Sequence, residues 1–228
     1  MERLLTSTGS DEVEPISWDS AGQSTARRAM IGRIIRANMR SFVFGTRVPE
    51  SDVPIFGALV KTRLTHREAT IFGLIYDIAV NEDDDGMTRM LSVAEDVREE
   101  DIAWQRSRLI PLNVHVLCVG YREANGLIRH QFPPQPPVAL NEIECCTTEE
   151  IARFTERLDH FQLVLESRDA PCDELLAASI SQAAAARPAG QRRSFVIECG
   201  RELARLLMGD TLRLERIFRR IQWNESSG

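Results

Sequence analysis

The stretch Phe132–Glu150, FPPQPPVALNEIECCTTEE, separates two parts of the chain with different sequence periods. Before it, apolar and polar residues alternate or form short apolar runs, which is typical of strands. After it, apolar residues recur at helical spacing. Its prolines hold φ at about −65° and favour an extended, semi-rigid rod. We therefore predict a structural hinge at residues 132–146; a ligand for a partner that binds polyproline is the alternative.

The N-terminal side carries the strand patterns. They are MIGRIIRANMRSFVFGTRV from Met30, DVPIFGALVKTR from Asp52, ATIFGLIYDIAV from Ala69 and LNVHVLCVGYREANGLIRHQF from Leu112. The last contains Asn125-Gly126, a strong hairpin signal. Glycines in and beside the strands fit the bulges and bends that close small barrels. We predict a small antiparallel β-barrel over residues 29–131, with a short inserted helix in SVAEDVREEDIAWQRSR.

The C-terminal side, residues 147–223, is predicted to be a helical bundle, so the fold class is α+β. Thr147 and Glu150 fit a capping box at the first helix start, and Gly209 and Asp210 fit a helix end followed by a new N-cap. The first helix has an apolar face of Ile151, Phe154, Leu158, Phe161 and Leu165. Three more helices are expected at about Asp173–Arg187, Ser194–Met208 and after Asp210.

Composition places the chain among folded, cytoplasmic proteins. Of its 228 residues 43% are apolar and 27% charged, with a net charge of −6, which disfavours the basic footprint of a nucleic-acid-binding protein. Five irregularly spaced cysteines suggest reduced thiols. Residues 1–28 are polar and acid-rich, and we expect a disordered tail there without a signal peptide. No stretch is long and apolar enough for a membrane span.

No catalytic signature is present, and we expect neither an enzyme nor a cofactor. The chain lacks G-x-x-x-x-G-K-[ST], G-x-G-x-x-G and G-x-S-x-G. The pair Cys145-Cys146 does not have zinc-ligand spacing, and the four histidines are isolated. The loop Asn81–Gly86 places oxygen side chains as an EF-hand does, but Ser92 stands where a glutamate is required. A solvated acidic turn is favoured there, and a calcium site is the alternative.

The segment IGRIIRANMRSFVFGTRVPESDVPIFGALVKTR, followed by ATIFGLIYDIAV, resembles the HerA–ATP synthase (HAS) barrel. The whole chain is also similar to bacterial HAS-barrel proteins in which a PP-x-PP segment leads into a helical C-terminal half. The resemblance implies a six-stranded barrel, which in the related ATPases precedes a P-loop domain. Here a helical bundle stands in that place. The resemblance therefore implies the barrel's other role, packing against neighbouring subunits or a companion protein.

These observations lead to two functional hypotheses. The first is a non-catalytic adaptor whose barrel packs against a HerA-type DNA translocase or its companion nuclease. Its partner-binding residues would be arginines on the first strands and their turns, which can pair with carboxylates. They are Arg33, Arg36, Arg40, Arg47 and Arg63. The alternative is a nucleic-acid-binding barrel of the OB type, with exposed strand aromatics as stacking platforms.

Overall fold

The structure, a computed structural model, describes residues 30–48, 54–64, 68–80 and 110–221. The expected tail at residues 1–28, the expected inserted helix and the loop Asn81–Gly86 lie outside these residues. The described strands are β1 (Met30–Ala37), β2 (Ser41–Val48), β3 (Leu59–Leu64), β4 (Ala69–Val80), β5 (Ile110–Arg122), β6 (Ile128–Arg129) and β7 (Glu142–Cys145).

Six of these strands form a closed antiparallel barrel, as predicted. Around the ring the order is β1, β2, β5, β4, β3 and β7, and the pairing of β7 with β1 completes the closure. Strand β6 pairs with β5 outside the ring. The pairing of β4 with β5 has a bulge opposite Phe72 and Gly73, where Val119 of β5 is the extra residue. A Cβ atom on Gly73 would lie 2.4 Å from Cγ1 of Val116 and 2.9 Å from the Leu117 oxygen, so this bend requires glycine.

The proline-rich run connects two strands of this one sheet. It leads from β6 to β7, and β7 occupies residues that we had assigned to the hinge. Pro133 and Pro137 are buried, and the Arg40 guanidinium stacks 5.7 Å from the centre of the Phe132 ring. At its far end the Leu140 amide donates to the Ile34 carbonyl at 2.8 Å. The prolines thus lie along the barrel, and the change from strands to helices follows β7.

The C-terminal part is helical, as predicted, but its element bounds differ. The described helices are α1 (Thr148–Phe154), α2 (His160–Leu165), α3 (Cys172–Ala185), α4 (Ala189–Leu206) and α5 (Thr211–Arg220). The capping box is confirmed: Thr147 Oγ1 accepts from the Glu150 amide and the Glu150 carboxylate accepts from the Thr147 amide. Asp210 caps α5 as expected, after Gly209 with φ of +96°.

The single first helix that we predicted is in fact two. Helix α1 ends because partners distant in sequence satisfy its last carbonyls. Arg187 Nη2 donates to the Thr155 carbonyl at 3.2 Å and to Thr155 Oγ1 at 2.7 Å. The Phe154 carbonyl is bonded by Nε2 of His130 at 3.0 Å. Helix α4 also begins five residues before the predicted Ser194, directly after Pro188, since proline is compatible with a helix start.

Two apolar cores organise the molecule. The first fills the barrel and contains fully buried Ile34, Phe44, Ile71, Val114 and Ile143. The second lies between the helices and the outer surface of the barrel. Its buried strand residues are Leu59, Phe72, Leu74, Leu117 and Val119, on β3, β4 and β5. Among the described residues, none from β1, β2 or β7 belongs to this second core.

Candidate protein-docking face

The outer surface of β1 and β7, with the turn at residues 138–141, forms what we call the docking face. It contains a groove of about 290 Å³. The groove is lined by Arg33, Lys61, Thr62, Arg63, Leu140, Asn141, Glu142 and Glu144. Together with Glu150 behind Lys61, these residues supply three cationic and three anionic side chains. The charges on this face are therefore balanced rather than of one sign.

Strand pairing sets the order of these charges. Glu142 and Glu144 are two residues apart on β7, so their side chains point to the same side of the sheet. Arg33 on β1 is in register with Glu142 and bonds its carboxylate at 2.9 Å. Lys61 on β3 is in register with Glu144. Arg33 also donates to the Leu140 carbonyl at 3.1 Å, which fastens the turn to β1.

Lys61 is the buried charge of this site. It is 6% exposed, and its Nζ lies 2.6 and 2.7 Å from the two Glu150 carboxylate oxygens. Glu144 Oε2 is 3.3 Å away as a second counter-ion, although it accepts no hydrogen bond from a described residue. Because Glu150 is also the capping glutamate of α1, one ammonium group links strand β3 to the start of the helical part. A buried charge requires such pairing.

The turn before β7 projects an apolar side chain into solvent. Leu140 has φ of +67°, a conformation that is uncommon for a non-glycine residue. Two hydrogen bonds hold the turn there: the Ile34 amide donates to the Asn141 carbonyl at 3.0 Å, and the Asn141 side chain donates to the Arg63 carbonyl at 2.7 Å. Leu140 is nevertheless 70% exposed. The fold thus holds a leucine outward in a strained conformation.

Further apolar side chains are exposed beside Leu140. Val138 is 54% exposed, Ile35 53% and Met30 47%. Ile35 lies over Gly45 of β2, its Cδ1 atom 3.1 Å from where a Cβ would stand. Exposed apolar side chains bordered by arginine are typical of protein–protein interfaces. The described helices pack on the apolar outer positions of β3, β4 and β5, so these side chains of the docking face remain exposed in the described part of the structure.

The five arginines chosen from the sequence do not form one cluster. Arg33 and Arg63 line the groove together. Arg36 is exposed on β1, and its charge acts on Tyr76 of β4, opposing the effects of burial and of Asp169 and Asp77 that raise the Tyr76 pKa.

The remaining two arginines lie elsewhere. Arg40 lies in the β1–β2 turn against Phe132. Arg47, on β2, pairs with Pro111 of β5. The Arg47 side chain lies outside the described part of the structure. Arg33 and Arg63 are therefore the candidate residues that the geometry brings together.

The thiols near this site are poor nucleophiles. Burial raises the pKa of Cys145 to about 11, and Lys61 opposes this only partly. Burial likewise raises the pKa of Cys146 well above its ordinary value. Since the thiolate is the reactive form, both are apolar packing groups at neutral pH. All five cysteines are free thiols.

A second group of titratable residues lies where the barrel meets the helices. The ring centres of His130 and His160 are 5.1 Å apart, and Phe154 packs against both. Burial, and the neighbouring His130, lower the pKa of His160 to about 3. His130 also has a lowered pKa because of burial, although the Phe154 carbonyl and Asp159 oppose this. Within the described residues no three His, Cys, Asp or Glu side chains are placed to hold a metal ion.

The nucleic-acid-binding hypothesis requires exposed aromatic side chains on the strands, and the described strands bury their phenylalanines. Phe42, Phe44 and Phe72 are at most 1% exposed, so they cannot stack on nucleic-acid bases. Phe56 is half-buried and packs against the second core. None of the described helices combines the length and apolar character needed to cross a bilayer.

Comparison with known proteins adds no relative: no family model matches the chain, and no curated protein matches it.

Sequence reasoning missed two parts of this site. Lys61 is the one lysine of the chain, and a lone lysine in an apolar strand pattern is a signal that it has a buried counter-ion. Leu140 and β7 were missed because the four residues EIEC between a proline-rich run and two cysteines give too short a pattern for a strand. Their position between β1 and β3 depends on contacts eighty or more residues apart in sequence, such as the bond from Thr62 Oγ1 to the Glu142 carbonyl.

Proposed function

We propose that this chain is a non-catalytic adaptor whose docking face binds a protein partner. The observation that carries the proposal is the asymmetric covering of the barrel. Helices cover the outward-facing apolar residues of β3, β4 and β5, whereas, among the described residues, Ile35, Val138 and Leu140 remain exposed beside Arg33 and Arg63. Such a surface provides apolar anchors with a charged margin.

The closed ring restricts how a partner can bind. Each of the six ring strands already pairs on both sides, so a partner cannot add a strand to the ring. Recognition must then use side chains. The balanced charges of the groove fit a partner surface that carries both carboxylates and cations, because a surface of one sign would meet a like charge in it.

The partner class comes from the resemblance of β1 to β4 to the HAS barrel. We propose that the partner is a HerA-type hexameric DNA translocase or its companion nuclease, in cytoplasmic DNA processing. The adaptor needs no catalytic group of its own for this role. It would position the translocase or the nuclease through the barrel, with the helical part as a second surface.

Size-exclusion chromatography of the purified chain, mixed at micromolar concentration with the cognate translocase or nuclease, tests this proposal. We expect one partner to co-migrate with the chain and to remain bound as salt is raised. The proposal is overturned if neither co-migrates. Retention of labelled single-stranded DNA, with a steep loss of binding as salt rises, would instead support the nucleic-acid-binding alternative.

A further inference from the structure

The groove of the docking face contains an arginine that pairs with no carboxylate of the described residues. Arg63 is exposed and lines the groove. The carboxylate nearest to it by strand register is Glu142, which Arg33 bonds at 2.9 Å. The Arg63 backbone is held in place, because its carbonyl accepts from the Asn141 side chain at 2.7 Å. The Arg63 guanidinium is therefore positioned for a carboxylate from outside the chain.

The same groove contains a glutamate that shares its cation. Lys61 Nζ lies 3.3 Å from Glu144 Oε2 but 2.6 and 2.7 Å from the two Glu150 oxygens. Glu150 also has Arg122 Nη1 at 3.9 Å. Glu144 Oε2 accepts no hydrogen bond from a described residue, and the Glu144 side chain lines the groove with 17% of its surface exposed. Glu144 is therefore the anion of this site that a further cation would stabilise.

Strand pairing sets the distance between these two groups. Lys61 of β3 is in register with Glu144 of β7, and Arg63 lies two residues further along β3. Residues related by this diagonal are about 7–8 Å apart across an antiparallel pair. The groove that both residues line has a volume of about 290 Å³, close to the lower end of the range for small-ligand sites.

We propose that the groove recognises a carboxylate and a basic group carried together on one segment of the partner protein, the carboxylate at Arg63 and the basic group at Glu144. This inference rests on the proposed adaptor function and specifies what the partner presents to the docking face. Two opposite charges in a fixed order accept the segment in one direction only. A helix presents such a pair at positions i and i+4, about 6 Å apart along its axis.

Binding of 6-aminohexanoate to the full chain tests the groove without the partner protein. The probe carries a carboxylate and an ammonium group at the two ends of an aliphatic chain. Hexanoate and hexylamine are its matched controls, because each keeps the chain and one of the charges. We would follow the backbone amide resonances of residues 140–144 by NMR. The amide of Leu127, which is 46% exposed in the β5–β6 turn, is the reference that should not shift.

We expect saturable shifts at residues 140–144, with a millimolar dissociation constant for the probe. Each control should bind about fivefold more weakly, because it lacks one of the two charge pairs.

Two substitutions assign the charges separately. In Arg63→Gln the carboxylate loses its partner, so 6-aminohexanoate should bind no better than hexylamine. In Glu144→Gln the ammonium group loses its partner, so the probe should bind no better than hexanoate. Arg63 is exposed, so its variant keeps the test valid even where Glu144→Gln lowers stability. Arg157→Gln is the control, since this exposed arginine lies outside the groove and should leave both preferences unchanged.

The inference is overturned if the probe gives no saturable shift, or if it binds no better than both controls in the unsubstituted chain. It is also overturned if Arg63→Gln keeps the full preference for the probe over hexylamine, because the carboxylate would then be held elsewhere. A failure of the adaptor proposal looks different: the chain would bind the probe as expected and co-migrate with neither the translocase nor the nuclease.

Discussion

Lys61 joins strand β3, strand β7 and helix α1 through one ammonium group. Its nitrogen contacts both Glu150 oxygens and lies 3.3 Å from Glu144. Glu150 meanwhile caps α1 through the Thr147 amide. A buried pair of this kind adds little compared with apolar residues of the same volume, but loss of one member leaves the other charge buried without a partner. The energetic role of Lys61 is thus to neutralise two partly buried glutamates, of which Glu150 also has Arg122 Nη1 at 3.9 Å.

Lys61→Met should therefore lower the free energy of unfolding by about 3 kcal/mol. Methionine keeps the length of the side chain and removes the charge, so the loss reports two carboxylates without their nearest cation, with Arg122 remaining 3.9 Å from Glu150. Urea unfolding followed by circular dichroism measures it. Arg157→Ala is the control, because the exposed pair of Arg157 with Asp159 should contribute less than about 1 kcal/mol. Equal losses in the two variants would contradict this account of Lys61.

His160 makes the stability of the fold dependent on pH. An unfolded histidine titrates at about 6.5, whereas in the fold burial lowers the pKa of His160 to about 3. Between these values the unfolded chain binds a proton that the folded chain excludes. Stability consequently falls as pH is lowered from 6.5 towards 3, by up to about 1.4 kcal/mol per pH unit for one group. His130, whose pKa is also lowered, acts in the same direction.

His160→Phe should flatten this dependence. Phenylalanine keeps a ring between Phe154 and Phe161, removes the buried Nδ1 that has no hydrogen-bond partner, and can use the adjoining cavity of about 20 Å³. Urea unfolding at pH 7, 6, 5 and 4 provides the comparison. The matched control is His115→Phe, a ring-for-ring change on β5 beside Tyr76. An unaltered slope in His160→Phe would contradict the assignment.

At the scale of elements, Gly57 allows α3 to lie directly on the barrel. Its φ is +83°, and a Cβ there would lie 2.6 Å from the Ala178 Cβ and 3.1 Å from the Ser179 nitrogen. The neighbouring Phe56 carbonyl accepts a bond from the Gln182 side chain at 2.8 Å, which aligns the helix with the strand. The close contact is between backbone and helix, so no side-chain rotation relieves it.

Gly57→Ala should destabilise the protein by about 3 kcal/mol, from backbone strain at positive φ together with overpacking against α3. Gly126→Ala separates the two causes, because Gly126 has φ of +87° but its nearest atom is the Arg153 Nη2 at 3.6 Å. The control should lose about 1 kcal/mol, the strain alone. Thermal unfolding of both variants gives the difference, and similar losses would show that the contact with α3 contributes nothing.

Elements were predictable from the sequence where their signals are local. The caps at Thr147 and Asp210 involve residues three positions apart and were confirmed. The break between α1 and α2 was missed, because Arg187 and His130 reach the end of α1 across 32 and 24 residues. Strand alternation predicted that Arg33 and Arg63 point outward. It could not show that β7 would insert between their strands and place them in one groove.

At the scale of the whole molecule, the described residues leave the barrel with one side covered by helices and one side exposed. The helices pack on β3, β4 and β5, and the proline-rich run carries the chain past the barrel to insert β7 beside β1. The exposed side then contains the groove, the strained Leu140 and its apolar neighbours. This division of the barrel surface is the central claim, because the proposed adaptor role depends on it.

The affinity of the docking face for its partner tests that claim most directly. We would measure the dissociation constant of the chain with the translocase or nuclease that co-migrates with it, and repeat it with Val138→Asp/Leu140→Asp. Aspartate tolerates positive φ, so the turn should be retained. We predict a loss of affinity of about tenfold or more in this variant and none in Leu127→Asp. Equal affinities in all three proteins would contradict the assignment of the docking face.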